Sequence, residues 1–244
     1  MTAGSDRGRV GGGQRVIPDG PAGRAEAIEV LRAGGIVALP TDTVYGIAVA
    51  LATPGGIERL FHVKHRPPDK AIALLLADAA QAAELAEVSP AAAALAAALW
   101  PGPLTLVLRA RLDAALPDVL VAGSRAVGVR LPDHPAPRAL AAAVGPLPTT
   151  SANLSGRPDP LDAATVVNEL GDGVDLVLDG GRTPGSRPST VVDLTVDPPA
   201  VLRVGLIDEA RVRAVLAGAG ADDRHQGGSS GPGRPDRGGG HGAG

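Results

Sequence analysis

Short apolar runs alternate with amphipathic segments through the middle of the chain. Residues 36–39 and 72–76 are almost entirely apolar, which is typical of buried strands. Ile57, Leu60 and Phe61 instead recur at helical spacing, which predicts an amphipathic helix. The same criteria predict strands over 36–39, 44–51, 72–76, 104–108, 126–130, 147–150, 176–179, 190–195 and 201–203. They predict helices over 24–33, 56–65, 78–86, 90–99, 134–143, 162–169 and 208–216. This alternation predicts an α/β domain built on a twisted, mixed β-sheet with flanking helices.

Two local signals mark the ends of predicted helices. Ser89 followed by Pro90 is a typical helix start, with a side-chain cap and a proline in the first turn. The pair Gly34-Gly35 is a typical helix stop. These signals support the predicted helices over 24–33 and 90–99.

The two ends of the chain differ in composition from its middle. Residues 1–21 and 218–244 are rich in glycine and poor in apolar side chains, so they have little surface to bury against a core. Both are predicted to be disordered. Residues 22–217 contain no linker and no internal repeat, which predicts one domain.

Composition excludes several classes of protein. The net charge of −3, from 23 Lys and Arg against 26 Asp and Glu, gives no basic excess for coating nucleic acid or an anionic membrane. The three aromatic residues, Tyr45, Phe61 and Trp100, are too few for a stacking platform. The absence of cysteine excludes disulfides, thiolate nucleophiles and zinc ribbons.

The location of the protein is predicted from two missing signals. No apolar run reaches the roughly 18 residues that a membrane span needs. The N-terminal sequence MTAGSDRGRVGGG lacks the apolar core of a secretory signal. We therefore expect a cytoplasmic protein with no membrane partner.

One short segment concentrates positive charge. Both lysines of the chain, Lys64 and Lys70, fall in a seven-residue segment that also contains Arg66 and two prolines. Cations on a chain stiffened by proline are typical of a preorganised anion site. A lysine is a compact point charge that an arginine fork does not replace, so the segment is a candidate binding site.

Other polar segments follow predicted strands, where α/β sheets place ligands. They cover 40–46, 100–105, 128–135, 149–156 and 189–193. Arg130 ends an apolar strand and is suited to a carboxylate, and 149–156 offers hydroxyl donors to phosphate oxygens. A capped turn explains 40–46 equally well, and a rigid structural turn explains 100–105. No P-loop or Rossmann glycine motif occurs. The residues alone thus indicate an anionic, phosphorylated ligand and leave the reaction open.

The same segments, in this order, resemble the YrdC/Sua5 family, the threonylcarbamoyl-AMP synthases. The matching motifs are PTDTVYG, the KxRP element, WPGPLT, VRLPDHP, TSANLSG, and STVVDL followed by a strand that contains Arg203. The resemblance covers roughly residues 22–210 and implies a single YrdC-like domain of the short type. It implies a nucleotidyltransferase that forms threonylcarbamoyl-AMP and pyrophosphate from L-threonine, bicarbonate and ATP. The product serves the threonylcarbamoyl modification of tRNA adenosine 37, made by a separate transferase.

The resemblance also implies three groups of site residues. Lys64, Arg66, Ser151 and Asn153 correspond to the catalytic residues around bicarbonate and the phosphates. Thr43, Arg130 and Ser189 correspond to the threonine-binding set. Arg66, Lys70, Ser151 and Arg203 correspond to the ATP-binding set. Mg²⁺ is implied with ATP, and no carboxylate cluster indicates a metal held by the protein.

The sequence departs from the family pattern in two places. Ala71-Ile72 stand where Pro-Leu is usual after the cationic segment, and Val204-Gly205 follow Arg203 where Pro-Gly is usual. The first change predicts a less stiff loop. The second bears on whether Arg203 keeps its nucleotide contact.

Two other functions are compatible with such a domain. A carbamoyltransferase of hydrogenase maturation uses a related domain, but those proteins are far longer and carry cysteine-rich zinc modules. A module that binds double-stranded RNA or assists ribosome assembly is the non-enzymatic alternative. Weak tRNA or double-stranded RNA binding is compatible with both the synthase and the RNA-binding module. The net charge of −3 argues against nucleic-acid binding as the main role.

Overall fold

The computed structural model describes residues 15–65, 72–121, 124–185 and 187–226. The helices in these ranges are α1 (Pro21–Arg32), α2 (Gly56–Val63), α3 (Ala80–Leu85), α4 (Pro90–Leu99), α5 (Asp118–Val121), α6 (Pro135–Val144), α7 (Ala163–Leu170) and α8 (Glu209–Gln226). The strands are β1 (Arg15–Pro18), β2 (Val37–Leu39), β3 (Gly46–Ala48), β4 (Ala73–Leu75), β5 (Leu104–Arg109), β6 (Ala126–Arg130), β7 (Leu147–Ser151), β8 (Leu176–Asp179), β9 (Thr190–Asp193) and β10 (Ala200–Arg203).

These strands form a single sheet in the order β1-β8-β2-β3-β7-β4-β6-β5-β9-β10. Four neighbouring pairs are parallel: β1 with β8, β2 with β8, β4 with β6, and β5 with β9. The other five pairs are antiparallel. The predicted α/β class with a mixed sheet and flanking helices is therefore confirmed.

The N-terminal boundary predicted from the sequence is wrong. Strand β1 lies within the segment predicted to be disordered, and it pairs with β8 from Arg15 opposite Leu176 to Pro18 opposite Asp179. Its four residues are too few to show a period-2 pattern, and its partner lies far along the chain, so local sequence gave no signal. Residues 1–14 lie outside the described residues.

The C-terminal boundary at residue 217 is also wrong. Helix α8 continues to Gln226, because no proline interrupts this stretch, although Gly218 and Gly220 lower its helical propensity. The rest of the predicted disordered tail, 227–244, lies outside the described residues. Helix α5 was not predicted either, since it spans a single turn of 4 residues.

One face of the sheet is covered by α1 and α6. Ala27 and Leu31 of α1 and Leu140 of α6 pack against Val37 and Leu75 of the strands. These two helices contact β2, β4, β7 and β8. The remainder of this face, over β6, β5 and β9, lies beyond them.

The opposite face is covered by the other long helices. Leu60, Leu95 and Val166 come from α2, α4 and α7 and pack against Leu74 and Val129. Because successive side chains of a strand point to opposite faces, Leu74 serves this core while Leu75 serves the core under α1 and α6. In the described part of the chain, no helix combines the length and apolar character that crossing a membrane requires.

Candidate active site

A cavity of about 410 Å³ lies on the sheet face that carries α1 and α6. Its wall includes Leu75 and Arg130, which are paired neighbours on β4 and β6. Ala73 and Gly128 also line it, and these small residues leave room above the strands. The sequence predicted ligand-binding groups at the ends of strands. The structure also places residues from within β4 and β6 in the floor of the cavity. The volume suits a small-molecule ligand.

The cavity collects five of the site residues predicted from the sequence. They are Thr43, Arg130, Ser151, Ser189 and Arg203. Apolar side chains from β5, α5 and β9 complete the wall: Val107, Val119, Leu120 and Val191. The cavity thus has a polar part rich in hydroxyl and guanidinium groups and an apolar part.

Arg130 is held in a fixed direction at one end of the cavity. Its Nε donates to the Gly102 carbonyl at 3.1 Å, its Nη1 to Thr43 Oγ1 at 3.0 Å, and its Nη2 to Asp42 Oδ1 at 2.6 Å. A guanidinium has five N–H groups, so these bonds leave two. Because Arg130 lines the cavity and is 6% exposed, the remaining donors suit a ligand carboxylate there.

The turn before β3 brings Thr43 and Asp42 to Arg130. Thr41 Oγ1 accepts from the Thr43 amide at 3.0 Å and donates to the Val44 carbonyl at 2.7 Å. The turn predicted as an alternative for 40–46 is therefore present, and it also presents Thr43 and Asp42 to Arg130. Gly185 packs so closely that a Cβ there would lie 2.3 Å from the Thr43 carbonyl oxygen.

The Trp100-Pro101-Gly102 turn supports the same arginine. Trp100 Nε1 donates to the Leu104 carbonyl at 2.7 Å, and the Gly102 amide donates to the Leu131 carbonyl at 2.9 Å. This leaves the Gly102 carbonyl directed at Arg130. The turn has a structural role, as one interpretation of the sequence predicted. That role is to hold Arg130 through the Gly102 carbonyl.

A second arginine, Arg203, lies at another part of the cavity wall. Its Nε donates to the Ser189 carbonyl at 3.0 Å and its Nη2 to Ser189 Oγ at 3.1 Å. Ser189 Oγ also lies 2.8 Å from Thr105 Oγ1. The sequence assigned Ser189 to threonine and Arg203 to ATP, whereas the structure joins the two in one hydrogen-bonded unit. Gly205 makes this approach possible, since a Cβ there would lie 2.2 Å from the Pro188 carbonyl oxygen.

Lys64 and Asn153 are buried and form a compact cluster with the half-buried Ser151. Lys64 Nζ donates to Asn153 Oδ1 at 2.9 Å, to Ser151 Oγ at 3.2 Å and to the Ser151 carbonyl. Ser151 Oγ donates to Asn153 Oδ1 at 2.6 Å. Of the three, Ser151 reaches the cavity wall. The structure thus brings together three of the four residues predicted to be catalytic.

Arg66 and Lys70 lie outside the described residues, so their predicted roles stay predictions. Within the described ranges, no group of three or more His, Cys, Asp or Glu side chains is placed to hold a metal ion. Asp42 is bonded to Arg130, and Asp159 is the other carboxylate near the described wall. This donor set does not fit a resident metal, so we assign no step to one.

Burial and neighbouring charges set the protonation of the site. Burial lowers the pKa of Arg130 below its ordinary value, and the charge and hydrogen bond of Asp42 oppose that change. Burial likewise lowers the pKa of Arg203, and the negative charge of Asp159 opposes that change. Burial raises the pKa of Tyr45 to about 12, and its hydroxyl donates to the Gly181 carbonyl at 2.8 Å. Tyr45 therefore stays a neutral phenol with a structural role.

The sequence reasoning missed two side chains of the site, Asp42 and Thr105. Both lie inside motifs that were recognised, but neither was given a role. Asp42 contacts Arg130 across 88 positions of the chain, and Thr105 contacts Ser189 across 84. A carboxylate directly before a predicted ligand-binding threonine was the available signal for Asp42.

These features define an α/β protein with a cavity that contains two arginines and suits a small anionic ligand. The family model Sua5_yciO_yrdC, described as "Telomere recombination", matches residues 29–205. The chain therefore belongs to the Sua5/YciO/YrdC family, as its motifs predicted.

Named relatives share this domain. The chain is 37% identical over 194 residues to "Threonylcarbamoyl-AMP synthase" of Bacillus subtilis (strain 168), covering 79% of this chain and 56% of that protein. It is 36% identical over 173 residues to "Threonylcarbamoyl-AMP synthase" of Vibrio vulnificus (strain YJ016), covering 69% of this chain and 91% of that protein. The chain thus spans little more than half the length of the Bacillus relative.

A solved structure has the same fold. The crystal structure of P. abyssi Sua5 complexed with L-threonine superposes with a TM-score of 0.77 at 34% identity. The match covers 83% of this chain and 59% of that one.

Proposed function

We propose that this protein is an L-threonylcarbamoyladenylate synthase. It would form threonylcarbamoyl-AMP, pyrophosphate and water from L-threonine, bicarbonate and ATP. A separate tRNA transferase would then use the product for the threonylcarbamoyl modification of adenosine 37. The observation that carries this proposal is that one cavity is lined by an anchored arginine fork, by paired hydroxyls and by Ser151, which Lys64 bonds, in a chain whose named relatives are such synthases.

The reaction asks the protein to position and stabilise charge. The threonine amine forms a bond to the bicarbonate carbon, and an oxygen of that carbon leaves as water. The resulting carbamate oxygen then forms a bond to the α-phosphorus of ATP, and the bond to the pyrophosphate oxygen breaks. No side chain becomes covalently attached, so orientation and charge stabilisation account for catalysis. Mg²⁺ would arrive on the ATP phosphates as part of the substrate.

Threonine would bind at the Arg130 end. Two guanidinium N–H groups remain for its carboxylate after the bonds to Gly102, Thr43 and Asp42. Hydroxyl groups of Thr43 and Ser189 line the same cavity and suit the threonine hydroxyl and amine.

Bicarbonate and the phosphates would lie near Ser151. Lys64 holds Ser151 and Asn153 in place, and its positive charge lies close to where anionic oxygens would gather. Arg66 and Lys70 would add charge from the cationic segment, and Arg203 would contact ATP.

The test is pyrophosphate release from ATP by the purified protein. We expect release only when both L-threonine and bicarbonate are present, with threonylcarbamoyl-AMP detected by mass spectrometry. Reactions lacking one substrate are the controls. Tight binding of tRNA at physiological salt without pyrophosphate release would overturn the proposal in favour of an RNA-binding module.

A further inference from the structure

Asp42 bonds Arg130 but does not line the cavity. Its Oδ1 accepts from Arg130 Nη2 at 2.6 Å, and its side chain is 12% exposed against 7% for Arg130. Asp42 is not one of the described residues that line the cavity, whereas Arg130 and Thr43 are. The carboxylate therefore bonds the arginine without forming part of the described cavity wall.

The other Oδ atom of Asp42 makes the arrangement unusual. Asp42 Oδ2 is buried and has no hydrogen-bond partner among the described residues. A buried carboxylate oxygen without a partner is costly, so its presence calls for a compensating role. The role available in this environment is to serve as counterion to a buried guanidinium.

Arg130 has two further contacts, and both are neutral. The Gly102 carbonyl and Thr43 Oγ1 accept its hydrogen bonds, but neither supplies negative charge. Among the described residues, Asp42 is the carboxylate that pairs with this guanidinium. It bonds Nη2 while the other acceptors bond Nε and Nη1, so all three nitrogens are fixed.

We propose that Asp42 is a positioning residue that fixes the Arg130 guanidinium and thereby sets affinity for the carboxylate of the substrate. The identity of that substrate as L-threonine rests on the proposed function. Asp42 does not touch the substrate. It acts through Arg130, and its effect disappears when the arginine fork is absent.

The first experiment compares Asp42→Asn with wild type in the pyrophosphate assay. Asparagine keeps the shape and an acceptor for Arg130 but removes the charge. We expect the threonine KM to rise about tenfold, the size of one lost charge-assisted contact, with the ATP KM within about twofold of wild type. An unchanged threonine KM would overturn the proposal.

The matched control is Asp19→Asn. Asp19 also pairs with an arginine and its side chain is 7% exposed, but it accepts from Arg24 through both carboxylate oxygens, at 2.6 Å and 2.9 Å. Neither Asp19 nor Arg24 is among the described residues that line the cavity. We expect Asp19→Asn to lower stability and leave the threonine KM unchanged. Equal KM increases in both variants would mean a general loss of structure, against the proposal.

A double variant tests whether Asp42 acts through Arg130. Arg130→Lys with Asp42→Asn should bind threonine no more weakly than Arg130→Lys alone, because the fork that Asp42 positions is already gone. Additive losses would show that Asp42 acts on the substrate by another route and would overturn the proposal.

A readout without turnover separates this proposal from the proposed function. In ¹⁵N NMR of the wild-type protein, the Arg130 Nε–H signal, assigned by its loss in Arg130→Lys, should show slow hydrogen exchange. In Asp42→Asn it should exchange at least about tenfold faster. Fast exchange in the wild type would overturn the inference even if Asp42→Asn fails to fold. Absence of pyrophosphate release with slow exchange would instead reject the synthase function and retain the role of Asp42.

Discussion

The two arginines of the cavity are held in contrasting ways. Arg130 is almost fully buried and bonded to the carboxylate of Asp42 and to two neutral acceptors. Arg203 is the more exposed of the two, and its hydrogen bonds go to the carbonyl and hydroxyl of Ser189. One guanidinium has a bonded counterion and a fixed direction. The other has neutral hydrogen-bond partners, and the carboxylate of Asp159 acts on it through charge alone.

This difference separates two kinds of recognition. A guanidinium fixed on all three nitrogens distinguishes a planar carboxylate by geometry. A more exposed cation attracts any nearby anion, and salt screens that attraction. We therefore expect the Arg130 end to determine which amino acid binds and the Arg203 end to contribute charge towards the phosphates.

The largest effect is expected for a substitution at Lys64, which lies at neither the Arg130 end nor the Arg203 end of the cavity. Lys64→Met keeps the volume of a buried side chain but removes the charge that holds Ser151 and Asn153. Loss of a preorganised charge contact typically lowers the rate by about 10²–10³. Steady-state kinetics should show that loss in kcat. Near wild-type kcat in a folded variant would remove this cluster from catalysis.

Arg130→Lys should weaken threonine binding at the Arg130 end of the cavity and spare ATP binding. Lysine keeps a positive charge but cannot replace the fork that reaches three acceptors at once. A charge-assisted hydrogen bond is worth roughly 1.5–3 kcal/mol, so threonine affinity should fall about ten- to hundredfold. ATP affinity, measured by calorimetry without threonine, should barely change. Weakened ATP binding with intact threonine binding would reverse the assignment of the two ends.

Arg203→Gln should have a smaller effect at the other end. The contact is more exposed, and exposed charge pairs contribute about 0.2–1 kcal/mol, which corresponds to at most about a fivefold rise in the ATP KM. Because salt screens this charge, the gap between wild type and variant should narrow as ionic strength increases. A salt series of KM measurements checks this. A rise in the threonine KM alone would place Arg203 with its partner Ser189 in threonine binding.

The sequence predicted the helices and strands where local chemistry decides them. Ser89 accepts from the Ala92 amide at 3.2 Å and α4 begins at Pro90, as the cap signal indicated. Gly34 has a φ of +83° after the first helix, which glycine adopts without strain. Strand β1 was missed because what defines it is pairing with β8, a contact that no local pattern reveals.

The sequence predicted several residues that the structure brings to one cavity, but it did not predict the contacts between them. The motifs gave Thr43, Arg130 and Ser189, and the cavity contains all three. The pairing of Arg130 with Asp42 and of Ser189 with Arg203 depends on how distant strands meet. One sequence without such contacts cannot assign these pairs, which is why Asp42 had no predicted role.

The smallest expected effect concerns the helices that follow the two arginine strands. Helix α6 follows the strand of Arg130, and His134 Nδ1 caps it by accepting from the Ala136 amide at 3.2 Å. Helix α8 follows the strand of Arg203, and Asp208 Oδ1 accepts from the Arg211 amide at 2.7 Å. The imidazole of His134 must be neutral to accept this hydrogen bond. Mild acid should therefore weaken the cap of α6, which follows the strand of Arg130, and leave the cap of α8 intact.

The direction of that acid effect follows from the pKa of His134. Burial lowers this pKa below 6.5, and the charges of Asp19 and Arg24 respectively raise and lower it. The unfolded chain therefore binds a proton at higher pH than the folded protein does. The contribution of the cap is present above pH 6.5 and is lost as pH falls below it. His134→Asn keeps a capping side chain but does not titrate. A cap is worth about 1 kcal/mol, so between pH 7.5 and 5.5 the wild-type Tm should fall about 2–4 °C further than that of the variant. Thermal unfolding of both proteins across this range measures the difference, and parallel Tm curves would mean that protonation of His134 does not weaken the cap of α6.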